Sequence, residues 1–208
     1  MLTDQIRPIT SDQYTALLQP VKAPTPEELF EFQRQRLADK KLAPIGMFDH
    51  FRKRLPSGLF LLVPPQPASV DKLNWNKLMS RIELSGKTGR NHLEPMDLTD
   101  EIEVPKVPTM LVDVEDGRGR RNTKPSLSLK AIPAEGRSAY HLWRGYIHVL
   151  LFPSVLDHHY LELIGSRNEV KRIPGLCLCG GWPVLDDHRW GDDADQKRGA
   201  PSCGRVES

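Results

Sequence analysis

Cysteine is scarce in this sequence, with three in 208 residues. Without a secretory context, three cysteines read as free thiols rather than a disulfide framework. A secretory core is missing too, because the opening MLTDQIRPIT holds no apolar stretch of the kind a signal peptide needs. Long hydrophobic runs are also lacking. The longest clearly apolar runs are five or six residues, against the ~20 of a membrane helix. These absences predict a soluble, cytoplasmic protein that does not enter a membrane. Charge of one sign is missing as well. There are 29 basic and 27 acidic residues, for a net charge of +2, which argues against a general polyanion binder and makes nucleic acid an unfavoured partner. There is no internal repeat, no low-complexity segment and no phosphate-binding loop. Gly86-Lys87-Thr88 imitates the end of such a loop, but the glycine it requires five residues earlier is Arg81.

Proline is plentiful, at 18 residues, and predicts long connections between elements. Residues 1–56 read as a helical N-terminal segment and 57–208 as an α+β domain. In the first segment, Thr10 is placed to cap a helix whose Tyr14, Leu17, Leu18 and Val21 share one face. A second helix opens with Thr25 as N-cap, Pro26 at the first helical position, and Glu27 and Glu28 facing the positive end of the helix dipole. Phe48, Phe51 and Leu55 suggest a third, short helix. Beyond it, Ser69 is expected to cap a helix carrying Trp75, Leu78, Met79 and Ile82, Asn122 or Thr123 a short helix from Pro125, and Ser138 a longer helix from Ala139 to about Phe152.

Strands are expected at 58–63, 109–114, 160–165 and 172–179, in a mixed or antiparallel sheet. The last two should pair as a C-terminal hairpin, because the loop near Asn168 is too short for a parallel crossover. The stretch 136–205 concentrates the chemically capable residues. It holds all three cysteines, five of seven histidines and three of four tryptophans.

An ordered series of short motifs runs through the chain: Asn91-His92, LVDVEDG (111–117), Asn122 with Pro125, GRS (136–138), FP (152–153), GSR (165–167), IP (173–174) and SCGRV (202–206). No single motif is specific, but their order and spacing over about residues 58–206 resemble a bacterial, largely actinobacterial, family catalogued only as a domain of unknown function. The resemblance implies kinship and no activity. The chain departs from the family pattern at Trp143-Arg144-Gly145, where the family has an acidic pair. It departs again in the tail VLDDHRWGDDADQKRGAPS, where the family is rich in tryptophan.

Three constellations could carry chemistry. Cys177, Cys179, His188 and Cys203 form a legitimate zinc donor set, but Cys-x-Cys spacing is tighter than structural zinc sites use. Small buried residues on a strand are therefore the preferred reading, with no metal and no cofactor expected and the zinc set kept as the weak alternative. Asp186, Asp187, Asp192, Asp193 and Asp195 are dense enough for Ca²⁺ or Mg²⁺. They lack an EF-hand pattern, so a solvated loop is expected. The residues that match the family motifs, Asn91, His92, Asp97, Asn122, Arg137, Ser166 and Arg167, fall in loops or at element ends, where sites gather. Their chemistry suits a small anionic ligand or a protein partner, with structural capping and clamping as the bland alternative. A small ligand- or protein-binding domain is the first functional reading. An enzyme of hydrolase or transferase type around His92 and Arg167 is the second, and nucleic-acid contact through the basic loop 118–124 is the third.

Overall fold

The structure, a computed structural model, describes residues 23–93, 98–190 and 193–208, with the side chains of 188–190 left aside. The helix expected from Thr10, Asp97, Asp192 and the His188 side chain lie outside the described residues.

Helix α1 (Pro26–Asp39) begins as the sequence predicts. The Thr25 hydroxyl accepts from the Glu28 amide and the Glu28 carboxylate accepts from the Thr25 amide, a complete capping box. A 3₁₀ turn (Asp49–Arg54) leads to β1 (Phe60–Val63), all four residues of which are buried. A second 3₁₀ turn (Val70–Lys72) and the single-turn α2 (Trp75–Met79) stand where one helix from Ser69 was expected. Asn74, not Ser69, supplies the cap to α2, accepting from the Lys77 amide at 2.9 Å. The described part of the polar, proline-punctuated stretch 83–108 holds four short strands, β2 (Glu83–Leu84), β3 (Lys87–Thr88), β4 (Arg90–Asn91) and β5 (Leu98–Asp100). Strand β6 (Thr109–Glu115) ends at Gly117, whose φ of 98° favours a residue without a side chain.

Helix α3 (Pro125–Ala134) starts after Lys124, with no side-chain cap from Asn122 or Thr123. Residues 138–139 form β7, so Ser138 does not open the next helix; α4 (Leu142–Leu151) begins three residues after Ala139. Then come β8 (Tyr160–Glu162), β9 (Ser166–Asn168), β10 (Arg172–Cys179), β11 (Trp182–Trp190), β12 (Arg198–Gly199) and β13 (Ser202–Glu207).

The fold is α+β, with the expected strands divided between two sheets. An antiparallel four-stranded sheet runs β1-β6-β13-β7, and a mixed five-stranded sheet runs β12-β8-β10-β11-β4. The expected pairing of the 160s with the 170s exists, since β8 and β10 are antiparallel neighbours with Gly175 opposite Glu162. The chain between them is not a simple loop, because β9 leaves to pair with β5. The tight hairpin is β10–β11, turning at Gly180 and Gly181, whose φ values are 58° and 79°. The second half of that hairpin corrects the solvated-loop reading for Asp186 and Asp187, while Asp193 is exposed outside the strands. Asp186 and Asp187 are 5% and 2% exposed on β11. Pro174 is tolerated inside β10 at a register shift between Ile173 and Gly175.

Helix α4 is the central element. All ten of its residues are buried, and it packs against β10 of one sheet and β1 of the other. Gly145 in its middle lets Leu163 approach so closely that a Cβ would fall 2.1 Å from a leucine methyl. Trp143 Nε1 donates to the Pro64 carbonyl at 2.8 Å and the Tyr146 hydroxyl to the Leu78 carbonyl at 3.0 Å, so the large aromatics satisfy their polar tips. Helix α1 belongs to the same core through Phe30 and Leu37. Its buried Gln33 also closes the free edge of β1, donating to the Phe60 carbonyl and accepting from the Leu62 amide, both at 2.9 Å.

Candidate functional site

The first turn of α4 leaves backbone amides without helical partners. Ser166, fully buried on β9, fills one of them, its hydroxyl accepting from the Leu142 amide at 2.7 Å. The same hydroxyl donates to Asp100 Oδ1 at 2.5 Å. The arrangement follows from the register of β5 and β9, which sets Asp100 directly opposite Ser166. His141, the N-cap residue of α4, is 1% exposed and holds Nδ1 at 4.0 Å from the same carboxylate oxygen. Burial, with help from the Arg144 charge, pushes the His141 pKa well below the ordinary range, so the imidazole is neutral and the contact is not an ion pair. Among the described residues His141 Nδ1 has no hydrogen-bond partner. A Ser-His-Asp triad is thus present in composition but not in connectivity. The serine bonds the aspartate rather than the histidine, and it is sealed from solvent.

Asp100 forms the foot of a cleft of about 900 Å³ whose walls include Gln66, Val70, Leu98, Val104 and Lys106. The Asp100 side chain is 11% exposed. Among the described residues its Oδ2 receives only a long contact of 3.4 Å from Gln66 Nε2, and Gln66 Oε1 has no partner. Burial raises the Asp100 pKa, opposed by the Ser166 and Gln66 hydrogen bonds and by the Arg144 charge. A second cleft, of about 440 Å³, shares the Pro105–Lys106 wall and has Arg144 in its lining.

The sequence-predicted residues do not all come to this place. Ser166 and Arg167 do, as neighbours on β9. Arg167 Nε donates to Glu101 Oε2 at 2.9 Å, clamping the segment that leaves β5. Arg137 is engaged elsewhere, on Asp113 and Ser202 of the four-stranded sheet. There it holds Asp113, whose φ of 54° is a left-handed conformation inside a strand. Asn122 sits in a left-handed turn, its amide bound to the Asp195 carbonyl at 2.9 Å. Asn91 Oδ1 accepts from the Leu93 amide, and His92 is exposed beside β11.

The zinc set divides. Cys177 and Cys179 are on β10, and Cys203 is on β13 of the other sheet. Among the described residues no group of three His, Cys, Asp or Glu side chains is arranged to hold a metal ion. Cys177 Sγ is 3.2 Å from Asp186 Oδ2, and burial followed by the Asp186 charge pushes its pKa up to about 12, so it donates as a thiol. Asp186 is held by Arg198 at 3.1 Å, beside Gly175, where a Cβ would meet the guanidinium at 2.7 Å.

Asp100, Gln66, His141 and Arg144 are the site residues that the sequence did not mark as candidates. Asp100 lies in the Leu98-Thr99-Asp100 alternation of a short edge strand, a signal too brief to stand out. Arg144 lies on a helix that is apolar nearly all round, and a lone basic residue there is the one sequence-level hint of a constrained charge.

No curated protein and no solved structure gives a significant match to the chain. The sequence profile of a family of unknown function, DUF5701, matches residues 25–206, so the likeness extends through α1 as well as both sheets. The chain belongs to that family.

Proposed function

We propose that the chain is a soluble, cytoplasmic small-ligand-binding domain whose site is the Asp100 cleft, and that the ligand presents an amine on an apolar body. The observation that carries the reading is Asp100 itself. It is a carboxylate 11% exposed, with Ser166 fixing one oxygen, no Lys or Arg in ion pair with it among the described residues, and in front of it a cleft whose apolar Val70, Leu98 and Val104 are joined by Asp71 and Lys106. A buried carboxylate without a cation is unfavourable alone and becomes favourable when a ligand supplies one. Near-balanced charge and free thiols support the cytoplasmic assignment. Among the described residues no helix is long and apolar enough to cross a membrane.

The enzyme reading shifts to the same place. His92 is exposed and Arg167 is committed to Glu101, so acid–base chemistry would run through Asp100, whose pKa burial raises. The nucleic-acid reading has less support, because Arg118 pairs with Asp116 and Arg120 with Glu135 within the basic loop. Benzylamine titrated by calorimetry, against benzyl alcohol as its neutral counterpart, tests the proposal. Binding of the amine alone, lost in Asp100→Asn, is expected. Equal binding of amine and alcohol would reassign the cleft to apolar contacts only.

A further inference from the structure

On the far side of the Pro105–Lys106 wall from Asp100 lies a charge of the opposite sign with the same shortfall. Arg144 is 3% exposed. Its Nη1 donates to Ser138 Oγ at 2.8 Å and to the Ala139 carbonyl at 3.0 Å. Among the described residues no acceptor meets Nε or Nη2 and no carboxylate forms an ion pair with the group. Among the described residues the other buried arginines are paired: Arg34 with Asp49, Arg167 with Glu101, and Arg198 with Asp186. Arg144 instead lines a cleft of about 440 Å³, together with Lys106, Thr109 and Ser138.

We propose that this cleft is an oxyanion site, in which a carboxylate or phosphate group of a small molecule accepts from Arg144 Nε and Nη2. A guanidinium presents those two donors side by side, in the geometry that matches two oxygens of one oxyanion. Nη1 is already held by two bonds on β7, to the Ser138 hydroxyl and the Ala139 carbonyl, so the fork is fixed in place before the ligand arrives, which favours affinity. Lys106, exposed on the shared wall, adds a second positive charge at the mouth. Glu103, also in the lining and exposed, opposes it and sets the limit on affinity. Burial lowers the Arg144 pKa, the direction expected of a cation lacking a close counter-ion. Arg144 and Asp100 feel each other's charge, but the ligand proposed here is of the opposite charge to that of the Asp100 cleft, and the phosphate and acetate arms can fail while the amine titration succeeds, or the reverse.

The test follows the Arg144 Nε–H resonance by NMR while inorganic phosphate, and in a second arm sodium acetate, is added at constant ionic strength set with chloride. A saturable shift of that resonance is expected in at least one arm. Response to phosphate alone identifies a phosphate-bearing ligand, and response to acetate identifies a carboxylate-bearing one. Arg144→Gln, followed through the backbone amides of Thr109 and Ser138 in the cleft lining, should abolish the saturable shift that those amides show in the parent. Because Arg144 also braces Ser138 and Ala139, two rim variants accompany it, neither of which makes a bond that the fold uses. Lys106→Gln should weaken binding about threefold, and Glu103→Gln should tighten it by about the same factor, from the Coulomb effect of one partly screened charge. A shift that chloride reproduces, or one that neither rim variant moves, would overturn the proposal.

Discussion

The first and last turns of α4 each bury a histidine, and the two histidines have different surroundings. His141 at the start stands 4.0 Å from Asp100, next to Leu142, whose amide Ser166 caps, and feels the Arg144 charge. His148, two turns on, is sealed among Tyr140 and Phe152, with ring centroids at 5.9 and 6.2 Å. Both are neutral because burial disfavours the imidazolium. At the last turn that neutrality is purely a matter of stability. At the first turn a carboxylate and a guanidinium feel each other's charge, yet neither has a direct ion-pair partner of opposite sign among the described residues, which is the basis of both proposed sites. A helix can therefore be uniformly buried by area and still have a structural end and a functional end.

The largest expected effect lies at the structural end. Burial lowers the His148 pKa from 6.5 to about 4, so the unfolded chain takes up a proton there before the folded one does. Its contribution is intact above 6.5 and is lost as pH falls toward 4, on the order of 3 kcal/mol in all. Urea denaturation at pH 7 and pH 4.5 should show His148→Leu losing less stability on acidification than the parent chain. An identical acid loss in both would mean His148 is not sealed. Asp100 has the opposite sign. Its raised pKa makes ionisation a burden on the fold that grows as pH rises from the ordinary 3.8 through its folded value, so Asp100→Asn should gain on the parent across that window.

Next is the hinge between the two ends. Ser166→Ala removes both the cap on the Leu142 amide and the donor to Asp100, and should lower stability by about 2 kcal/mol. A thermal melt within a degree of the parent would show that water replaces the hydroxyl and that α4 does not depend on it. A smaller effect, about 1 kcal/mol, is expected for Arg167→Ala, because its partner Glu101 is partly exposed and the pair is screened. Phosphate should not change the melt of that variant relative to the parent. A phosphate-dependent difference would move the anion site from Arg144 to Arg167.

The sequence made the regular elements legible where a local signal and the tertiary outcome agreed. Thr25-Pro26-Glu27-Glu28 capped α1 as its chemistry requires, and the apolar runs of β1, β6 and β10 became strands. It misled where capping came from a distance. Ser138 has the chemistry of a local cap, but Ser166, 24 residues beyond Leu142, supplies the bond. The acidic tail was opaque for a related reason. Asp186 looks like a solvated carboxylate until Arg198, brought alongside by the β12–β8 pairing, neutralises it. Of the candidate site, Ser166 and Arg167 were visible and Asp100 and Arg144 were not. Their importance lies in a missing counter-ion, and no sequence pattern displays an absence that only packing creates.

The most direct test of the Asp100 cleft is a calorimetric titration of benzylamine into the parent chain and into Asp100→Asn, at pH 7 and again at pH 4. The account predicts saturable binding to the parent at pH 7, weaker binding at pH 4 as Asp100 protonates, and none to the variant at either pH. Binding to the variant as tight as to the parent would contradict it.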